Sequence, residues 1–256
     1  MAYLSRLGDP RFWLTGAWRQ WLPGVCSLCR QSARAWGLCV DCHDYILATR
    51  AARILRCLQC DVGLDASASA TAQARCAICI DQDPAFERLL TVFDYEAPAD
   101  LLIHQFKSRH QFFLAPVLAG MMWQTWVQRG TALQPPIVLG AVPASRPALR
   151  RRGFNPAAEL ARYVARYAGW PFEPGLLIRT REGRRQATLG REARREATTG
   201  LYQPARWLTG SIVVVDDVIT TGSTMDSVAR SLRQVGAESV HGLALGRTPP
   251  APEPIQ

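Results

Sequence analysis

Two adjacent carboxylates, Asp216 and Asp217, close the apolar run Ser211 to Val215 and stand just ahead of the hydroxyl-rich stretch Thr220-Thr221-Gly222-Ser223-Thr224. A loop of this composition between a strand and a helix presents free backbone N–H groups and the positive helix end, both suited to a phosphate. The hydroxyls of Thr220, Thr221, Ser223 and Thr224 add donors, and Gly222 lets the backbone approach a ligand closely. It is not a Walker A loop, because the lysine and spacing of that motif are missing. Carboxylates beside a phosphate repel it unless they serve another group. Vicinal hydroxyls donate well to carboxylates, and a hydrated magnesium ion takes oxygen ligands. A sugar with a terminal phosphate on one side and vicinal hydroxyls on the other satisfies both halves of the pattern.

A second pattern lies far upstream. All eight cysteines fall into four C-x-x-C pairs, Cys26/Cys29, Cys39/Cys42, Cys57/Cys60 and Cys76/Cys79. Two intervening residues let both sulfurs reach one tetrahedral ion, and a second pair completes the coordination. The spacing predicts structural zinc, one or two ions, rather than disulfides or a thioredoxin-like redox pair. Sequential and interleaved pairings both satisfy it. His43, next to Cys42, is read as a bystander because eight thiols already suffice.

The elements that must position these residues follow from periodicity. Residues 11–22 place Phe12, Trp13, Leu14, Trp18, Trp21 and Leu22 at roughly helical spacing, ended by Pro23-Gly24. The cysteine module follows, with a low-complexity tip, DASASATAQA, over 65–74. Beyond Phe86, strand-like runs at 89–97, 137–145, 211–218 and 239–248 alternate with helical stretches. One helix is expected from Pro156 to Gly169 with Asn155 as its N-cap, and another from Thr224 to Gly236. The stretch 98–128 reads as helices broken near Ser108 and at Pro116. Such alternation predicts an α/β fold with a doubly wound parallel sheet, and ligands of such sheets sit beyond the carboxyl ends of the strands. The organisation expected is an amphipathic segment over 1–22, a double zinc ribbon over 23–85 and the α/β domain over 86–256.

Net charge is +9, and all but one of the cationic residues are arginine, Lys107 being the only lysine. A basic balance permits anionic partners such as nucleic acid or phosphorylated metabolites. There is neither a secretory leader pattern nor an apolar run long enough for a membrane span, so a cytoplasmic location is expected.

The run IVVVDDVITTGST, residues 212–224, resembles the PRPP (5-phosphoribosyl diphosphate) binding motif of type I phosphoribosyltransferases. With HQFKSRHQ (104–111), RRGFNPAAELA (151–161) and the double cysteine ribbon ahead of them, it resembles the ComF family, phosphoribosyltransferase-like proteins associated with natural competence. The resemblance spans about Pro23 to Arg247. It implies a type I phosphoribosyltransferase fold behind the ribbon, with magnesium and PRPP as ligands. Asp216 and Asp217 would hold the ribose hydroxyls, and Thr220, Thr221, Gly222, Ser223 and Thr224 the 5-phosphate. The turn Pro143, Ala144, Ser145 and Arg146 would face pyrophosphate, with Arg151 and Arg152 close by. Lys107 matches a family lysine and is expected to be functional, and residues 179–196 would form a lid. The chain departs from the family pattern at Pro156, where glutamine is usual, and at Arg185-Gln186 and Arg194 to Ala197 in the lid.

Two functional classes are compatible with these residues. One is transfer of a phosphoribosyl group from PRPP to an acceptor, or PRPP binding without turnover. The other is a non-catalytic DNA-handling protein that reuses the transferase fold, its ribbon, Trp36 and Arg-rich lid contacting single-stranded DNA. Competence or recombination proteins and a second copy of the chain are further expected partners.

Overall fold

The computed structural model describes residues 23–34, 37–51, 55–64, 74–108, 111–180 and 200–249. The aromatic stripe of 11–22, Trp36, most of the low-complexity tip and lid residues 181–196 lie outside these.

Four strands form a parallel sheet in the order β3-β8-β7-β4: β3 (Arg88–Asp94), β4 (Ile137–Ala141), β7 (Ser211–Ile219) and β8 (Ser239–Arg247). Between their ends the two central strands are apolar apart from His241, over Ile212–Val215 and Val240–Gly246, as strands covered on both faces must be. Alternate residues serve alternate faces. Val213, Val215, Leu243 and Leu245 join one apolar cluster with α4 (Ala115–Arg129) and α6 (Pro156–Ala168). Ile212, Val214, Val240 and Ala244 join a second with Met225, Val228, Ala229 and Leu232 of α7 (Ser223–Gln234).

The termini of α6 follow their sequence chemistry. Asn155 Oδ1 accepts the Ala157 N–H at 3.2 Å, and Gly169 closes the helix at φ 70°. Pro116 lies in the first turn of α4, where a missing N–H costs nothing; the break comes earlier, through a 3-10 turn at Phe112–Leu114. The run expected over 211–218 is β7, which carries one residue further, to Ile219, because β8 runs on to Arg247 and keeps it paired, with Asp216 opposite Ala244.

The cysteine module packs onto this sheet. The hairpin β1 (Pro23–Val25) and β2 (Ser32–Arg34) leads to α1 (Val40–Ala51), and α2 (Ala77–Gln82) follows the third pair. Asp61, in the left-handed region at φ 60°, is buried between module and sheet. Its carboxylate accepts both terminal nitrogens of Arg50 at 2.7 and 2.8 Å, and the amide and hydroxyl of Thr91 in β3 at 2.8 and 2.7 Å. Arg129 of α4 reaches the same carboxylate at 3.2 Å. Arg56 pairs with Asp94 at the end of β3 at 2.7 Å, both deeply buried. Buried charge is tolerated only when paired and hydrogen-bonded in this way.

Candidate sugar-phosphate site and cysteine clusters

Because all four strands are parallel, their carboxyl ends share one edge, and the predicted residues gather there. The Val142 amide donates to the Val215 carbonyl at 2.9 Å, which brings the turn Pro143 to Arg146 beside Asp216. Ser145 caps the short helix α5 (Arg146–Arg152), accepting the Ala148 N–H at 3.3 Å. Arg151 and Arg152 end that helix. Asp216 and Asp217 each accept the next residue's N–H, at 2.8 and 2.7 Å, which fixes both carboxylates against the backbone.

Lys107, in the last turn of α3 (Ala99–Ser108), forms an ion pair with Asp217 at 2.8 Å, with both side chains largely buried. The only lysine of the chain therefore meets the second carboxylate. Asp216 is placed differently. Burial, reinforced by the charge of Asp217, raises its pKa to about 8, against the opposing influence of Lys107. Near neutrality the edge thus holds one paired carboxylate and one carboxyl poised to ionise.

The loop beyond them is built for close approach. Gly222 begins α7 in the left-handed region, φ 87°, and no atom lies within 4 Å of where a Cβ would stand. Thr221 Oγ1 and Ser223 Oγ lie 2.9 Å apart, and Thr221 Oγ1 accepts the Ser223 N–H at 3.3 Å. Arg179 lies over the ring of Tyr202 and donates to its hydroxyl at 3.4 Å, and the same hydroxyl interacts with Thr224. Burial raises the Tyr202 hydroxyl above its ordinary value; Arg179 opposes this and the Asp216 charge reinforces it.

The cysteines resolve into two sequential clusters, Cys26, Cys29, Cys39, Cys42 and Cys57, Cys60, Cys76, Cys79. All ligand atoms within each lie within 4.8 Å of one another, and Cys29–Cys39 and Cys60–Cys76 sulfurs are 3.6 Å apart. Four sulfurs about 2.3 Å from a tetrahedral ion stand roughly 3.8 Å apart, so both sets fit zinc. Amides of Cys42, Cys60 and Cys76 point at Cys39 or Cys57 sulfurs at 3.3 to 3.5 Å, a pattern that favours thiolates. Hydrogen bonds from Cys60, Cys76 and Cys79 hold Cys57 far below the ordinary thiol range, and the same contacts push Cys60 and Cys79 up, as in a set of thiols sharing protons until a metal displaces them. At Cys26 burial works upward, but amides of Cys29, Cys39 and Leu28 outweigh it and bring the thiol to about 6. His43 stands outside the first cluster and pairs with Asp44 at 3.0 Å.

The chain is 32% identical over 234 residues to the DNA utilization protein YhgH of Salmonella typhimurium, covering 89% of this chain and 98% of the relative. The chain belongs to the ComF family. Competence protein F of Haemophilus influenzae is 28% identical over 178 residues, 67% of this chain and 78% of that protein. The family profile described as Phosphoribosyl transferase domain matches residues 148–254, and the fold is that of a type I phosphoribosyltransferase preceded by a cysteine-rich module. Among solved structures, the glutamine PRPP amidotransferase from B. subtilis, complexed with ADP and GMP, is 25% identical, with a TM-score of 0.33 over 50% of this chain and 25% of that one.

Two residues of this ComF-family chain, Tyr202 and Arg247, escape sequence reasoning, and Arg179, expected as the start of the lid, instead ends a strand. Tyr202 and Arg179 meet because β5 (Leu177–Arg179) and β6 (Tyr202–Pro204) form an antiparallel hairpin across residues 180–201, a long-range pairing with no local turn signal. Arg247, 2% exposed, ends β8 against the Thr220 carbonyl; an arginine closing an apolar strand was the available clue. His104 is exposed, whereas His241 is buried. Burial, with the charges of Arg233 and Arg88, lowers His241 to about 4 and keeps it neutral.

Proposed function

We propose that this ComF-family chain binds PRPP with magnesium and transfers its phosphoribosyl group to an acceptor. The observation that carries this reading is the unobstructed, left-handed Gly222 loop directly after two carboxylates fixed at the sheet's carboxyl edge. In this reading Asp216 and Asp217 accept the ribose hydroxyls, and residues Thr220 to Thr224 take the 5-phosphate on backbone amides and hydroxyls at the start of α7. The turn Pro143 to Arg146, with Arg151 and Arg152, faces the pyrophosphate. Lys107 neutralises Asp217, so the pair does not repel an incoming anion. The donor chemistry of the site fits magnesium: Asp216, which forms no ion pair among the described residues, is the carboxylate left to face it, and the ion would neutralise charge on the diphosphate. In transfer, the C1–oxygen bond to pyrophosphate breaks with its electron pair leaving on pyrophosphate, positive charge develops on the ribose, and the acceptor's lone pair closes the new bond.

Zinc in both cysteine clusters is part of the same reading, as is a reducing, cytoplasmic setting, since all eight thiols are unpaired. The organisation into segments 1–22, 23–85 and 86–256 is retained as a proposal. The relatives' name, DNA utilization protein, and the net charge of +9 favour a second reading, in which the chain contacts single-stranded DNA. Replacing Asp216 and Asp217 together by alanine separates them. PRPP binding is expected to disappear in calorimetry, while affinity for a labelled single-stranded oligonucleotide stays within about twofold. If the variant retains PRPP binding and loses DNA binding, the assignment is reversed.

A further inference from the structure

The second cysteine cluster lies directly behind the phosphate loop. Cys60, Ile78 and Cys79 line a small enclosed space with Thr221, Gly222 and Ser223. One side chain joins the two. Arg247, buried at the end of β8, donates from one terminal nitrogen to the Thr220 carbonyl at 2.7 Å and from the other to Cys60 Sγ at 3.6 Å. Its strand neighbours hold it in place, because the Arg247 carbonyl accepts the Tyr95 N–H at 2.8 Å and the Thr248 N–H reaches the Ile219 carbonyl at 2.9 Å.

The bond to Thr220 has a geometric consequence. A peptide is planar and trans, so its C=O and N–H point in opposite directions. Holding the Thr220 carbonyl toward Arg247 fixes the plane shared with Thr221 and directs the Thr221 N–H away from the cluster, toward the ligand side of the loop. The bond to Cys60 fixes the other end. A zinc ion on four thiolates leaves a net negative charge, which a buried guanidinium offsets. Hydrogen bonds from groups around the metal ligands also set ligand orientation. Arginine suits this place because its planar fork reaches two acceptors at once with defined directions, whereas lysine offers a point charge.

We propose that Arg247 is a positioning residue through which the Cys57/Cys60/Cys76/Cys79 cluster sets the phosphate loop, so that metal held there determines affinity for a 5-phosphorylated sugar. The proposal rests on the reading of residues Thr220 to Thr224 as the phosphate-binding loop. It assigns the second cluster a direct part in setting the phosphate loop through Arg247.

The test uses the full, zinc-loaded chain with magnesium present, titrated calorimetrically with ribose 5-phosphate and separately with inorganic pyrophosphate. Zinc content and melting temperature are measured on each sample. Arg247→Met is expected to weaken ribose 5-phosphate about tenfold or more, the loss of a charge-assisted hydrogen bond, and to leave pyrophosphate within about twofold. Arg247→Lys should fall between the two. Cys60→His keeps a tetrahedral zinc site while removing the sulfur that Arg247 meets. It should reproduce the selective loss with zinc still bound, and it carries the test if Arg247→Met does not fold. Equal weakening of both ligands, or none, in zinc-replete variants overturns the proposal. A wild-type chain that binds pyrophosphate but not ribose 5-phosphate instead overturns the reading of the loop on which it rests.

Discussion

The two cysteine clusters share a ligand set and a spacing, yet the chain places them in different surroundings. In the first, Cys26 is buried, Cys39 and Cys42 are half-buried and Cys29 is exposed; in the second all four are buried. Cys26 belongs to the apolar cluster of α4 and α6, on the sheet face opposite α7. The second cluster packs with Leu89, Ile212 and Met225 on the face of α7 and abuts the loop that starts that helix. A metal site acts according to what it touches. The first can fasten the entry of the chain onto the core, while the second stands where any loosening reaches Thr220 to Ser223.

The largest expected effect breaks this difference at its root. Cys76→Ser leaves three buried thiolates short of a ligand and is expected to cost about 4 kcal/mol or more and to abolish ribose 5-phosphate binding. Cys29→Ser, at the exposed corner of the first cluster, should cost less than half as much and leave binding intact. Urea unfolding with zinc content measured in parallel checks the pair. A chelator should remove one zinc quickly and the other slowly, followed by a colorimetric zinc indicator.

Next in size is the junction between the two regions. Asp61→Ala leaves the Arg50 and Arg129 guanidinium groups without their shared carboxylate, and a loss of about 3 to 5 kcal/mol is expected in urea melts. A change under about 1 kcal/mol would mean that the Asp61 carboxylate adds little to a junction held by apolar packing and the Arg56–Asp94 pair.

The smallest effect runs in the opposite direction. The folded-state pKa of Asp216, about 8, is raised above its unfolded value near 4. Its contribution to stability is therefore fully present below about pH 4 and is lost as pH rises toward 8. Asp216→Asn should stabilise the ligand-free protein by about 1 kcal/mol at pH 7.5 and flatten this decline, while weakening PRPP. Binding of PRPP to the wild type at pH 7 should release a proton from Asp216 as the ribose hydroxyls and magnesium draw on its carboxylate. The signature is a binding enthalpy that changes with the ionisation heat of the buffer.

Much of this was legible in the sequence, for identifiable reasons. The four C-x-x-C pairs, the Asn155 cap and the Asp216 to Thr224 run are local patterns, each needing only the geometry of a few consecutive residues. What stayed hidden depends on distant partners. Lys107 could be singled out as the only lysine, but its meeting with Asp217 requires α3 to return across the end of β7. Spacing allowed either pairing of the cysteines, and the sequential one was fixed by packing on opposite sheet faces. The end of β7 lies within one residue of the expected 218, its last pair being set by β8, which runs on to Arg247.

The most direct test of the central claim is a calorimetric titration of PRPP into the zinc-loaded chain with millimolar magnesium, beside the Asp216→Asn, Asp217→Asn double variant. The account predicts one saturable site per chain in the wild type and at least about a hundredfold weaker binding in the variant, the loss of two charge-assisted contacts. A folded, zinc-replete wild type that shows no heat with millimolar PRPP, or a double variant that binds equally well, would contradict it.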